Sequence, residues 1–170
     1  QGQKCNALCD TYGHHALTCT AGGHLLRRHN AITDTLAQAI TTYTGLPPLR
    51  EQQLPPPTRP TGTPADGDGD IAPRWENTDP AIPTNYRSDL TANHAGAQID
   101  IDIMVTHPWH TTAMRQARAA KQDGTAARNA EQFKLNKYKH TTITPFVLET
   151  HGRLGDHARQ YQRQLLPTQH

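Results

Sequence analysis

The sequence predicts a mixed α/β domain, one small sheet flanked by helices, with a metal-held segment in front of it. Three observations point there. Leu25, His29, Ile32, Leu36, Ile40 and Tyr43 recur every three or four residues, the spacing of an amphipathic helix. Ile99, Ile101, Ile103 and Val105 alternate with Asp100, Asp102 and Met104, the period of a strand with one buried face. Cys5, Cys9 and Cys19 crowd with His14 and His15 near the start of the chain. Three cysteines cannot complete a disulfide framework, which favours metal ligation.

Taken in order, Cys5 and Cys9 are spaced C-x3-C, and His15 or His14 stands before Cys19 as H-x3-C or H-x4-C. Thiolates and one imidazole suit tetrahedral zinc, and short spacings let four ligands converge without an apolar core beneath them. His15 is the first choice, with His14 read as a solvent-facing neighbour. This gives a knuckle over residues 1–24 and a second domain over residues 25–170. The amphipathic helix ends at Gly45 and Pro47. Residues 49–54 suit a short strand carrying Glu51, and residues 55–69, rich in Pro, Gly and Thr, suit a loop. A brief strand is expected over 71–75, then an irregular stretch to about Asn93. Residues 98–106 are the clearest strand. Residues 112–138 are alanine-rich and helical with a weak point at Asp123-Gly124, residues 141–150 are β-branched and apolar around Pro145, and a last helix runs from about 154 to 166.

With 34% hydrophobic residues, 5% aromatics and a mean hydropathy of −0.77 over 170 residues, the chain can bury one modest core. No apolar run approaches the roughly 20 residues that span a bilayer, so a membrane-spanning protein is not expected. The chain opens without Met and shows no signal-peptide segment, and is read as a cytosolic or nuclear piece of something longer. Residues 1–111 carry 7 Lys/Arg against 11 Asp/Glu, and residues 112–170 carry 10 against 4. An acidic front suits cations and a basic rear suits a polyanion. Arg115, Arg118, Lys121, Arg128, Lys134, Lys137 and Lys139 would follow phosphates along one helix.

The chemistry rests on carboxylates. Glu51, Asp70 and Asp102 fall on or beside successive predicted strands, and Lys134 with Tyr138 follows on a helix. Neighbouring strands lie about 4.8 Å apart, so carboxylates at matching heights can share a magnesium or manganese ion. Such an ion lowers the pKa of a bound water and neutralises phosphoryl charge, while an ammonium orients the water or stabilises developing charge. Asp66 and Asp68 compete with Asp70, which is preferred because Ile71 can continue a strand where Gly follows the other two. An EF-hand is excluded: the sixth position is Ile71 and the twelfth Asn77. His29 lies on the apolar stripe and is read as a structural histidine satisfied by a core hydrogen bond rather than a general base, though the fold could bring it near DNA. Trp75 and Trp109 are read as packing residues, and Glu131 as an exposed partner for Lys134.

The run CDTYGHHALTCTAGGHLLRRHN from Cys9, then Glu51, GDGDIAPRW around Asp70, IDIDIMVTHP around Asp102, AEQFKLNKY around Lys134 and TPFVLETHGRLG from Thr144 resembles the C-terminal region of early-branching non-LTR retrotransposon polyproteins. There a CCHC knuckle precedes a restriction-like endonuclease of the PD-(D/E)XK superfamily, which nicks target DNA so that an upstream reverse transcriptase can prime from it. The resemblance implies a nuclear, magnesium- or manganese-dependent endonuclease acting on DNA, with element RNA as a further partner. It makes Cys5, Cys9, His15 and Cys19 the zinc ligands and Asp70 and Asp102 the two family aspartates. Lys134 becomes the displaced lysine and Tyr138 its partner. The alternative is a catalytically inactive nucleic-acid-binding module of the same polyprotein.

Overall fold

Gly45 ends the first long helix as the sequence predicts. It takes φ 74°, and its N–H bonds the carbonyl of Thr41 at 2.9 Å, a left-handed cap that glycine adopts without strain. The computed structural model describes residues 5, 11, 13–19, 21–54, 86–108, 122–139 and 141–166. Within these the chain runs α1 (His14–Thr18), a 3₁₀ turn (Ala21–Gly23), α2 (His24–Thr44), β1 (Leu49–Gln53), β2 (Arg87–His94), β3 (Ala97–Thr106), α3 (Thr125–Lys137), β4 (Thr144–Glu149) and α4 (Asp156–Leu165). Cys9, residues 55–85 with Asp66, Asp68, Asp70 and Trp75, and residues 109–121 with Trp109, Arg115, Arg118 and Lys121 lie outside the described residues.

The four strands form one mixed sheet in the order β1-β2-β3-β4. β1, β2 and β3 are antiparallel neighbours, and β4 pairs parallel to β3, from Ile101↔Thr144 to Thr106↔Glu149. Pro145 is tolerated because β4 is an edge strand. The alternation along β3 divides the helices between the two faces. Ile101 and Ile103 pack with Leu90, Ala92 and Phe146 against Leu36, Ala37 and Ile40 of α2 and Ala158, Tyr161 and Leu165 of α4. On the opposite face Val147 and Met104 meet Ala127 and Ala130 of α3, whose small side chains allow close approach. The expected α/β class, a small mixed sheet flanked by helices, is what forms.

β2 is where the structure departs from the sequence reading. The stretch read as irregular to Asn93 contains a largely buried strand, turned into β3 at Ala95-Gly96, with His94↔Ala97 as the last pair. Both turn residues have positive φ, 51° and 79°, as the favoured two-residue hairpin requires. The turn was hidden because Ala holds a position where Asn, Asp or Gly is the usual signal. Glu131 is a second departure. It is 3% exposed, and its carboxylate accepts from the N–H of His157 at 2.9 Å rather than pairing with Lys134. Glu149 likewise accepts from the N–H of Ala127 at 3.1 Å. Both helices start after a glycine that makes no side-chain cap, so buried carboxylates from other elements satisfy N–H groups there.

Candidate functional site

The β2–β3 register runs from His94↔Ala97 only to Leu90↔Ile101, and beyond it β2 continues as the partner of β1. Asp89 stands at this fork. Its Oδ2 accepts the backbone N–H of Ile103 at 2.6 Å, so the side chain takes over a β3 amide where the ladder ends. His29 on α2 brings Nε2 within 3.3 Å of the same oxygen. Burial pushes the Asp89 carboxyl up, but the bonds from His29 and Ile103 and the charges of His29 and Lys134 outweigh it and leave it below the usual value. The bond to Asp89 in turn raises His29 above 6.5, against the opposing effect of burial. Oδ2 is thus committed, while Oδ1 has no bonded partner among the described residues. His29 is half-buried on α2, and the hydrogen bond expected of a structural histidine goes to Asp89.

Asp102 lies on the α3 face of β3. The carboxylate is 7% exposed, and Lys134 Nζ, 13% exposed, lies 2.5 Å from Oδ2. Lys134 is the positive charge that meets this buried oxygen. Burial pushes this carboxyl up, Lys134 opposes without cancelling it, and the charge of Asp89 adds to the rise. A buried acid held beside a second acid and an ammonium is a group whose ionised form calls for more positive charge.

Tyr138 caps α3 and closes the far side. Its hydroxyl donates to the carbonyl of Arg87 at 3.0 Å and accepts from Lys137 Nζ at 3.0 Å. Burial and the nearby Asp102 charge push the phenol up to about 12, so it serves as a donor rather than a base. Glu51 stands elsewhere. It takes φ 50° on β1, its side chain is 75% exposed, and its carboxylate lies 3.4 Å from Arg87; no bond links it to Asp89 or Asp102 among the described residues. The structure therefore brings together Asp102, Lys134 and Tyr138 from the expected set and adds Asp89 and His29. Asp89 had a signal in the sequence: counting outward from a turn at Ala95-Gly96 brings it level with Asp102.

At the N-terminus, one ligand atom each from Cys5, His15 and Cys19 lies within 4.8 Å of the others, and Cys5 Sγ is 3.1 Å from His15 Nε2. His15 and Cys19 lie one helical turn apart along α1 and its cap. Tetrahedral zinc with bonds of about 2.0 to 2.3 Å would hold such atoms roughly 3.5 to 3.8 Å apart, so these three groups fit a metal ion. Cys9, the expected fourth ligand, lies outside the described residues. His14 is not the solvent-facing neighbour expected: it is partly buried, with Nδ1 3.0 Å from His107 Nε2. Of the basic residues expected on one helix, Arg128, Lys137 and Lys139 are exposed while Lys134 is turned inward. No helix among the described residues is long and apolar enough to cross a membrane. No protein-family model, curated protein or solved structure matches this chain.

Proposed function

We propose that this chain is a restriction-like, metal-dependent DNA endonuclease preceded by a zinc knuckle. The observation that carries the reading is the pair Asp89 and Asp102 at the β2–β3 fork, with the ammonium of Lys134 2.5 Å from the buried Oδ2 of Asp102. Asp89 joins the acids singled out by the sequence, of which Asp70 lies outside the described residues. The order of motifs along the chain, from the Cys/His cluster through Arg28-His29-Asn30 to Lys134 and Tyr138, supports the same reading through its resemblance to retrotransposon endonucleases.

Asp89 through Oδ1 and Asp102 would hold magnesium or manganese, since carboxylate oxygens suit a hard cation. When bound, that ion supplies charge neutralisation at the phosphoryl group and a more acidic water. His29 and the N–H of Ile103 hold the Asp89 carboxylate in one orientation. Lys134, released from Asp102 by competing positive charge, is placed to stabilise the negative charge that develops on a phosphate. Tyr138, protonated across the physiological range, fixes the end of α3 and Lys137 beside it. Cys5, Cys9, His15 and Cys19 would hold structural zinc. Duplex DNA is the substrate, cut on one strand to prime an upstream reverse transcriptase in the nucleus, with element RNA as a second partner.

The test is nicking of a supercoiled plasmid with Mg²⁺ or Mn²⁺. Wild type should nick, Asp89→Asn and Asp102→Asn should lose activity while keeping DNA binding, and Lys134→Ala should fall about a hundredfold. DNA binding without nicking in wild type would identify the inactive binding module instead. Full activity in Asp89→Asn would remove the fork from the mechanism.

A further inference from the structure

The late turns of α3 show one side to the acidic site and the next side to water. Lys134 points inward to Asp102. Phe133 precedes it and Lys137 follows one turn later, and at a spacing of four these two are neighbours on the helix surface. Phe133 is 60% exposed. Phe146, the other phenylalanine of the chain, packs in the core edge-on to Tyr161. One turn before and after Phe133 stand Asn129, Asn136 and Lys137, all exposed, so no apolar patch spreads from it along the helix as a protein or lipid contact would need.

Lys137 is exposed yet held in place. Its Nζ donates to the Tyr138 hydroxyl at 3.0 Å and lies 4.6 Å from the centre of the same ring, a cation over a π-face. The phenol is itself fixed, because Tyr138 is buried and its hydroxyl donates to the carbonyl of Arg87. No carboxylate among the described residues pairs with Lys137, although its charge acts on Asp102 in the same direction as that of Lys134. Two ammoniums one turn apart repel, and an anion arriving between them relieves that repulsion. An exposed ring beside an oriented, acid-free ammonium matches the two halves of a nucleotide: phosphate meets the charge and the base meets the ring.

We propose that Phe133 and Lys137 bind one nucleotide of the DNA strand being cut, Lys137 at its phosphate and Phe133 on the face of its base, with Tyr138 as the residue that positions Lys137. The proposal deepens the nuclease reading above and rests on it. A base lying on Phe133 has left the duplex stack, so the strand crosses α3 locally unpaired beside Lys134.

The experiment measures binding of the full chain to oligo(dT) and to an abasic strand of equal length, which keeps every phosphate and lacks every base, over a salt series. Urea midpoints report the fold of each variant, and supercoiled-plasmid nicking by wild type reports the nuclease reading separately. Phe133→Ala and Phe133→Met should weaken oligo(dT) binding about fivefold or more and leave the abasic strand unaffected, while Phe133→Trp should keep oligo(dT) affinity. Lys137→Gln should weaken both strands and lower the salt slope by about one. Tyr138→Phe, which keeps the ring and loses the hydroxyl, should weaken both strands less than Lys137→Gln does and leave the slope unchanged, since the charge remains. Equal effects of Phe133→Ala on the two strands, full oligo(dT) affinity in Phe133→Met, or an unchanged slope in Lys137→Gln would overturn the proposal while plasmid nicking left the nuclease reading standing. Absence of nicking by wild type would overturn that reading, and with it the claim that the bound strand is the one cut.

Discussion

Replacing Lys134 with Met keeps the length and apolar stem of the side chain and removes only its charge. Asp102 is then left 7% exposed beside Asp89 with no cation against Oδ2. Removing one partner of a buried pair costs about 3 to 5 kcal/mol, since the other charge stays desolvated. The carboxyl can escape by taking a proton, and its folded pKa already lies above 3.8 because of burial. Losing Lys134, whose charge opposes that rise, pushes the carboxyl up further. An acid raised in the folded state destabilises at pH above its folded value and stops doing so as pH falls toward the unfolded one. The deficit of Lys134→Met against wild type should therefore be fullest at pH 8 and shrink by about 1.4 kcal/mol for each unit below the new pKa. Asp102→Asn with Lys134→Met should be milder than Lys134→Met alone, because the double change leaves neither charge of the pair buried without its partner. Urea unfolding at pH 8, 7, 6 and 5 without added divalent cation measures this. A deficit under 1 kcal/mol at pH 8, or one independent of pH, would show that Asp102 is not the desolvated carboxylate described, and the argument for a cation site there would fall with it.

His29→Ala should remove about 1 kcal/mol between pH 4 and 6 and almost nothing at pH 9. The raised histidine contributes fully below 6.5 and loses its contribution as pH rises through its folded value, and the lowered Asp89 contributes only above its own range. Equal losses at pH 5 and pH 9 would refute that pairing. Glu131→Ala should cost about 2 to 3 kcal/mol by stranding the N–H of His157 at the buried start of α4, and Glu131→Gln clearly less, since an amide oxygen can accept the same bond; equal unfolding midpoints would show that the cap is not what Glu131 supplies. Elemental analysis should find about one zinc per chain, as a single structural site of this ligand set requires. Cys19→Ser should lower that content, and unaltered zinc would displace Cys19 from the site.

The structural differences are instructive about which signals reach the sequence. α2 and β3 were legible because apolar residues recur on one face of each and print a period, and β4 because β-branched and apolar residues crowd it. Leu36, Ile40 and Gly45 carry that print, as do Ile101 and Ile103. β2 was not legible because its apolar positions are small or few, Leu90 and Ala92 among Ser88, Thr91 and Asn93, and its turn used Ala95. Glu131 looked like a surface partner for Lys134 because helical spacing says which residues share a face, not which face is covered.

By itself, then, the sequence determined the order and period of most elements and the local grouping of His15 with Cys19, since both depend on residues a few positions apart. It also singled out Asp102, Lys134 and Tyr138 by type. Only the tertiary structure decided that Asp89 completes the fork with Asp102, that His29 and His14 serve neighbouring side chains, and that Glu51 stands at the exposed edge beside Arg87. The reason is physical: a strand pair that diverges frees one backbone N–H, and which carboxylate comes to accept it depends on hairpin register and on packing of α2 and α3 across opposite faces of the sheet.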